Sequence, residues 1–96
     1  MIKKINIAIA GFGNIGSYFY KSLEKNKRTI AIKTGKMPVI KYISAKKFNK
    51  KRKVKIPKAK WIKNPISLAS KKDVSIIVEL IGGAEGARTL YFLLAK

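Results

Sequence analysis

Three glycines at fixed spacing, Gly11-Phe12-Gly13-Asn14-Ile15-Gly16, stand between an apolar run and a segment of helical periodicity. A G-x-G-x-x-G turn in that setting has the makings of a pyrophosphate cradle. Gly11 permits a tight turn, Gly13 lets the backbone approach a phosphate with no Cβ in the way, and Gly16 lets the helix lie close on the strand. The amino end of the helix then supplies N–H groups without intrahelical acceptors and the positive end of a dipole for the phosphates. The alternative is a glycine turn with a purely structural purpose. The strand before the motif and the helix after it favour the dinucleotide reading.

Such turns usually come with a carboxylate at the end of the second strand, which accepts hydrogen bonds from the adenosine ribose and favours NAD. Here that position reads Ile43-Ser44-Ala45-Lys46-Lys47, with no acid. A cation there pairs with the 2′-phosphate of NADP, and the Ser44 hydroxyl adds a donor. NADP is therefore the expected cofactor, with NAD as the alternative. The competing view is that Lys46 and Lys47 are two more solvated lysines in a lysine-rich chain.

Other chemistry is excluded by composition. The 96 residues include no cysteine and no histidine, so thiol nucleophiles, disulfides and thiolate or imidazole metal sites are ruled out, and no metal site is expected. No catalytic residue suggests itself. Lys and Arg together number 23 against 4 acids, a formal charge of +19. That balance attracts polyanions. Nearly all of the cations are lysine, however, whereas phosphate-forking and base-reading surfaces favour arginine. Lysines interrupt every apolar run before it reaches membrane-spanning length. The first run, although preceded by Lys3 and Lys4, is short for a signal peptide and carries Asn6. A cytoplasmic location is the expectation.

The elements that must position the turn can be read in order. Residues 4 to 10, KINIAIA, are apolar on both alternating faces once the small alanines are counted, as in a central parallel strand covered by helices. From Asn14 a helix runs toward a polar EKNKR stretch at residues 24 to 28. TIAIKTGKM is ambiguous between a short strand and a continued helix ending at Gly35. After Pro38, VIKYISA is a second strand. Residues 46 to 60 read as a basic, solvated loop. Asn64 with Pro65 then caps a single helical turn. The run from Val74 to Ile81 is a third strand, and Ala87, Leu90, Tyr91 and Leu94 share one helical face. The expected fold is α/β: a partial Rossmann-type, three-layer arrangement around a parallel sheet of about three strands.

Four blocks carry a closer resemblance: IAIAGFGNIGSYFYKSLEKN, YISAKKFNKKR, WIKNPISLA and DVSIIVELIGGAEGA. In this order they resemble the amino-terminal part of the NAD(P)-binding domain of homoserine dehydrogenases, from about Ile5 to Ala87. The VELIGG block after a Val/Ile strand is the most selective of them. The resemblance implies that Gly11, Gly13, Asn14, Ile15 and Gly16 line the pyrophosphate turn and that Lys46 falls where relatives often carry an arginine. Lys47 replaces an aspartate. Glu79, Ile81, Gly82 and Gly83 match a segment that closes beside the cofactor, with the backbone of Gly82 and Gly83 passing next to it. Glu79 has a plainer alternative, as a partly buried strand residue bonded to neighbouring backbone.

The family interconverts aspartate semialdehyde and homoserine with a nicotinamide cofactor, on the path to threonine and methionine. The resemblance implies that residues 1–96 are an incomplete NAD(P)-binding domain without the substrate domain, inactive alone. A reading from another class is a small basic nucleic-acid-binding protein, with Tyr42, Phe48 and Trp61 interleaved among cations as stacking groups. With a fourth strand absent, the first strand is expected at the margin of the sheet, and its apolar edge from Ile5 to Ala10 is expected to drive self-association as salt rises.

Overall fold

The structure, a computed structural model, describes residues 2–45, 56–57 and 60–94. Strand β1 (Lys3–Ala10) leads into helix α1 (Asn14–Thr34), which returns the chain to strand β2 (Lys36–Ser44). A two-residue strand β3 (Trp61–Ile62), a 3-10 helix (Pro65–Ser70), strand β4 (Ile76–Glu79) and helix α2 (Gly83–Leu94) follow. All neighbouring strands run parallel, in the order β3-β2-β1-β4.

Two expectations are corrected by this order. The sheet has four strands rather than three, because Trp61–Ile62 pairs with Ile43 and Ser44 of β2. The last strand, read as the third, is the fourth, and it pairs with Ile7 to Ala10 of β1 on the side away from β2. Ile7 to Ala10 are therefore held from both sides, and this part of the run offers no open edge. The reason for expecting association through it is gone.

Helix α1 also runs further than its polar stretch suggests. Glu24, Lys25, Lys27 and Arg28 are good helix formers, and the stretch is solvated rather than frayed: the Lys27 ammonium bonds Glu24 at 3.0 Å, and the Asn26 amide donates to the Ser22 carbonyl. No helix breaker intervenes before Gly35, whose amide donates to the Ala31 carbonyl at 2.8 Å and ends the helix. Strand β2 then starts ahead of Pro38. Since β3 reaches only Ile43 and Ser44, Pro38 lies where β2 has a neighbour on one side only, and its missing amide hydrogen is tolerated there.

The core has two layers. On one face, Tyr20, Phe19 and Leu23 of α1 pack with Ile9, Phe12, Ile40, Ile43 and Ala45, and Trp61 and Leu80 border them. On the opposite face, small Ala8 and Ala10 let Leu68 of the 3-10 helix and Leu93 of α2 close onto the sheet. The 3-10 helix starts as its sequence dictates: the Asn64 side chain accepts from the Ile66 amide at 3.0 Å with Pro65 in the first position. Among the described residues, no helix is long and apolar enough to cross a membrane.

Lys41 is the extra residue of an irregularity in β2, where the register with β1 shifts between Ile7 and Ala8. Its ammonium bonds the Asp73 carboxylate, to which the Tyr42 hydroxyl also donates, at 3.2 Å. The Asn6 amide donates to the Asp73 carbonyl at 2.8 Å, so this cluster ties the entry of β4 to β1 and β2. The Lys41 bond, and after it the Tyr42 bond, hold the Asp73 carboxyl below its usual value of 3.8. A lowered carboxyl contributes stability above its unfolded value and loses it as pH falls through the folded one. Lys41→Met is therefore expected to move the Asp73 titration, followed by carboxyl carbon NMR, up toward 3.8 and to flatten the acid limb of the stability profile.

Candidate functional site

Three strand ends converge at one edge of the sheet. The Gly11 amide donates to the Ser44 carbonyl at 2.8 Å, joining the first turn to the end of β2, and the Leu80 amide donates to the Ala10 carbonyl at 2.7 Å, joining it to the end of β4. Gly11 has φ +100°, and a Cβ there would come within 2.7 Å of the Ile81 backbone nitrogen. A Cβ at Gly16 would meet the Gly11 carbonyl oxygen at 2.8 Å. Both glycines are places of close approach inside the fold, Gly11 beside Ile81 and Gly16 beside the Gly11 carbonyl.

Gly13 differs. A Cβ built on it meets nothing within 4 Å, so the turn opens to solvent at this residue. The first intrahelical bond of α1 runs from the Ser17 amide to the Gly13 carbonyl at 2.9 Å, which leaves the amides of Asn14, Ile15 and Gly16 ahead of it. No acidic side chain occupies the first turn. Gly13, Asn14 and Ile15 are exposed, Ile15 at 69%, an unusual degree for a large apolar side chain beside a turn. The arrangement sets free amides and the positive dipole end of a 21-residue helix at an open surface, a chemistry that suits an anion. Phe12 takes a different part. Its ring is buried, edge-on to Tyr20 at 6.1 Å and to Trp61 at 5.6 Å between ring centres, so only its backbone belongs to the turn.

Gly82 and Gly83 stand across from this turn with φ +79° and +63°, a left-handed pair open to solvent. Glu79 shapes them. Its carboxylate accepts from the Ile81 and Gly82 amides, and it lies so close to Gly86 that a Cβ there would meet Oε2 at 2.7 Å. The plainer reading of Glu79, as a partly buried group bonded to nearby backbone, is the observed one.

Ser44 is buried at the end of β2 and, with Ala45, forms one wall of a pocket of about 140 Å³. Lys63, Pro65, Ile81 and Glu85 complete it. Sequence reasoning missed Lys63, Pro65 and Glu85 as lining residues, whereas Ile81 belongs to the segment expected beside the cofactor. The signal that would have found Lys63 and Pro65 is the strand Trp61–Ile62: residues just past it reach the same sheet edge as Gly11 and Ser44, where ligands bind in open α/β sheets. Lys46 lies outside the described residues, as do Lys47 and Phe48. Of the other two aromatic groups in the nucleic-acid reading, Trp61 packs on Phe12, and Tyr42 donates to Asp73 with the Lys71 ammonium 5.3 Å from its ring centre. Among the described residues, no group of three His, Cys, Asp or Glu could hold a metal ion.

No protein-family model matches the chain. It is, however, 32% identical over 82 residues to homoserine dehydrogenase of Neisseria gonorrhoeae, covering 85% of this chain and 19% of the relative. To the Bacillus subtilis enzyme of the same name it is 29% identical over 84 residues, again across 19% of the relative. A crystal structure of S. aureus homoserine dehydrogenase at pH 6.5 superposes with a TM-score of 0.85 and 32% identity, over 99% of this chain and 24% of that one. The chain thus spans about a fifth to a quarter of the length of the relatives it matches.

The geometry separates the glycines by purpose. Gly11→Ala combines an unfavourable positive φ with a backbone clash and is expected to cost about 2 kcal/mol or more of stability. Gly13→Ala, facing open space, is expected to stay within about 0.5 kcal/mol. Denaturant unfolding of both variants checks this, and equal losses would contradict it.

Proposed function

Kinship with the homoserine dehydrogenases is the premise from which we propose that this chain is the nucleotide-cofactor-binding part of such an enzyme. Residues 1–96 would form the amino-terminal portion of a Rossmann-type NAD(P)-binding domain, and the substrate domain would lie in the part of the relatives that the chain does not match. The observation that carries this reading is the open cradle at Gly13, set where three parallel strand ends meet and bounded by the left-handed pair Gly82 and Gly83.

A nicotinamide dinucleotide, when bound, supplies the hydride transfer. The chain's part is to bind and orient it. The amides of Asn14, Ile15 and Gly16, with the dipole of α1 behind them, face a pyrophosphate, and the absence of a Cβ at Gly13 lets it come close. Gly11 and the backbone of Phe12 set the height of the turn, and Gly82 and Gly83 present backbone on the other side. Ser44 stands at the end of β2 where the adenosine ribose is read, and no carboxylate ends that strand. Together with Lys46 of the sequence, that favours NADP over NAD.

For the whole enzyme we propose the interconversion of aspartate semialdehyde and homoserine, within cytoplasmic threonine and methionine synthesis. This chain alone is not expected to perform it. Of its four acids, Glu24 pairs with Lys27, Asp73 with Lys41, and Glu79 with turn amides, while Glu85 lines the pocket; none is assigned a proton-transfer role. Homoserine with saturating NADP is expected to give no turnover by the purified chain.

Fluorescence titration with NADPH tests the cofactor reading. Gly13→Asp places a carboxylate at the helix amides without steric conflict inside the fold, so binding is expected to weaken at least about tenfold while the circular dichroism spectrum is retained. NADPH binding that ignores this substitution would remove the cradle from the proposal.

A further inference from the structure

Helix α2 turns its most apolar stripe away from the sheet. Ala87, Leu90, Tyr91 and Leu94 stand at the spacing of one helical face, the pattern by which a helix ordinarily packs on its own core. In the fold the inward place is taken by Gly86, Thr89 and Leu93, which are buried, and Leu93 packs with Leu68, Ala8 and Ala10. The four residues of the stripe are exposed, Tyr91 at 68% and Leu94 at 79%. Strand β4, which leads into α2, is a margin of the sheet: β1 lies on one side of it and, among the described residues, no strand lies on the other. Its Ile76 side chain is exposed as well.

The cations thin out over the same two elements. Residues 73–95 are the longest lysine-free stretch of the chain, and they hold three of its four acids, Asp73, Glu79 and Glu85, against Arg88 alone. The Arg88 guanidinium lies 5.7 Å from the Phe92 ring centre, at the flank of the stripe. Elsewhere Glu24 is the single acid among the remaining lysines and arginines.

We infer that β4 and α2 form the face through which two copies of this chain associate about a two-fold axis. Both parts of the face are self-complementary. An open strand edge meets its own copy running antiparallel, N–H to C=O, and an apolar stripe matches an identical stripe. Charge decides where the copies meet: two molecules of +19 repel wherever lysine faces lysine, and β4 with α2 is where they come together without it. Charge also favours the copy as occupant. An acidic partner is drawn to the lysine-rich remainder of the surface, whereas an apolar face carrying few cations is matched by one of the same kind, which the second copy brings. Apolar contact holds the pair against the repulsion of the basic remainder, so association strengthens as salt screens charges more than about 8 Å apart.

Sedimentation velocity on the 96-residue chain, over a series of protein and salt concentrations, tests this. The variants are Tyr91→Glu and Leu94→Ser on the stripe and Ile32→Glu on α1, an exposed apolar position away from the face, with circular dichroism as the check on folding. The wild type is expected to pass from monomer to dimer as salt rises. Tyr91→Glu is expected to weaken the dimer at least about tenfold and Leu94→Ser about threefold, while Ile32→Glu leaves it within about twofold. Both glutamates lower the net charge equally, so a loss confined to Tyr91→Glu is a loss of contact and not a charge effect. A wild type that stays monomeric at every salt concentration overturns the second copy as occupant and leaves the stripe to some other partner. A dimer that ignores both stripe variants, one that dissociates as salt rises, or open-ended growth beyond the dimer overturns the two-fold face.

Discussion

The approach of the Gly11 backbone to Ile81 is the contact on which the upper edge of this molecule depends. Gly11 and Ile81 can touch only because no side chain stands between them, and the touch brings the ends of β1 and β4 level. The Gly11 amide then reaches Ser44, which levels β2 as well. Gly16 repeats the device at the start of α1 by seating the helix against the Gly11 carbonyl. A side chain at any of these places would lift the helix or splay the strands, and the amides at the start of α1 would no longer look out over a common rim.

Glu79 performs the same office on the opposite side with charge in place of close packing. Two successive left-handed residues are a costly arrangement for a chain unless something holds them, and glycine lowers only the steric part of that cost. The carboxylate supplies the rest by accepting from two successive amides and by lodging against Gly86. It is thereby committed to structure, and a reader looking for an acid or base among the few carboxylates of this chain is led away from it.

The glycine turn, the Asn64-Pro65 cap and the apolar strands were legible in the sequence because each is determined by neighbours a few residues away. Trp61–Ile62 was not, since two residues display no period and this strand exists only through its pairing with Ile43 and Ser44. That single omission moved β4 to the wrong side of β1, turned a central strand into a margin, and hid Lys63 and Pro65 from the site. Helix α1 follows one of the two readings open for TIAIKTGKM, a continued helix ending at Gly35; polarity at residues 24 to 28 obscured its continuity, although a solvated helical face accommodates them. Phe12 shows the limit of motif reading, because the spacing locates its backbone while the core claims its ring.

The uneven pairing of β1 has one further consequence. Its first residues have only β2 beside them, while Ile7 to Ala10 are held from both sides, and burial rises along the strand in step. Opening fluctuations should therefore begin at the Lys3 end and die out toward Gly11, so that amide hydrogens there exchange slowly even when the opposite edge breathes. The sheet is stiffest at the rim where the turns gather. A molecule settling on that rim meets groups already held in place, and little of its binding free energy is consumed in ordering them.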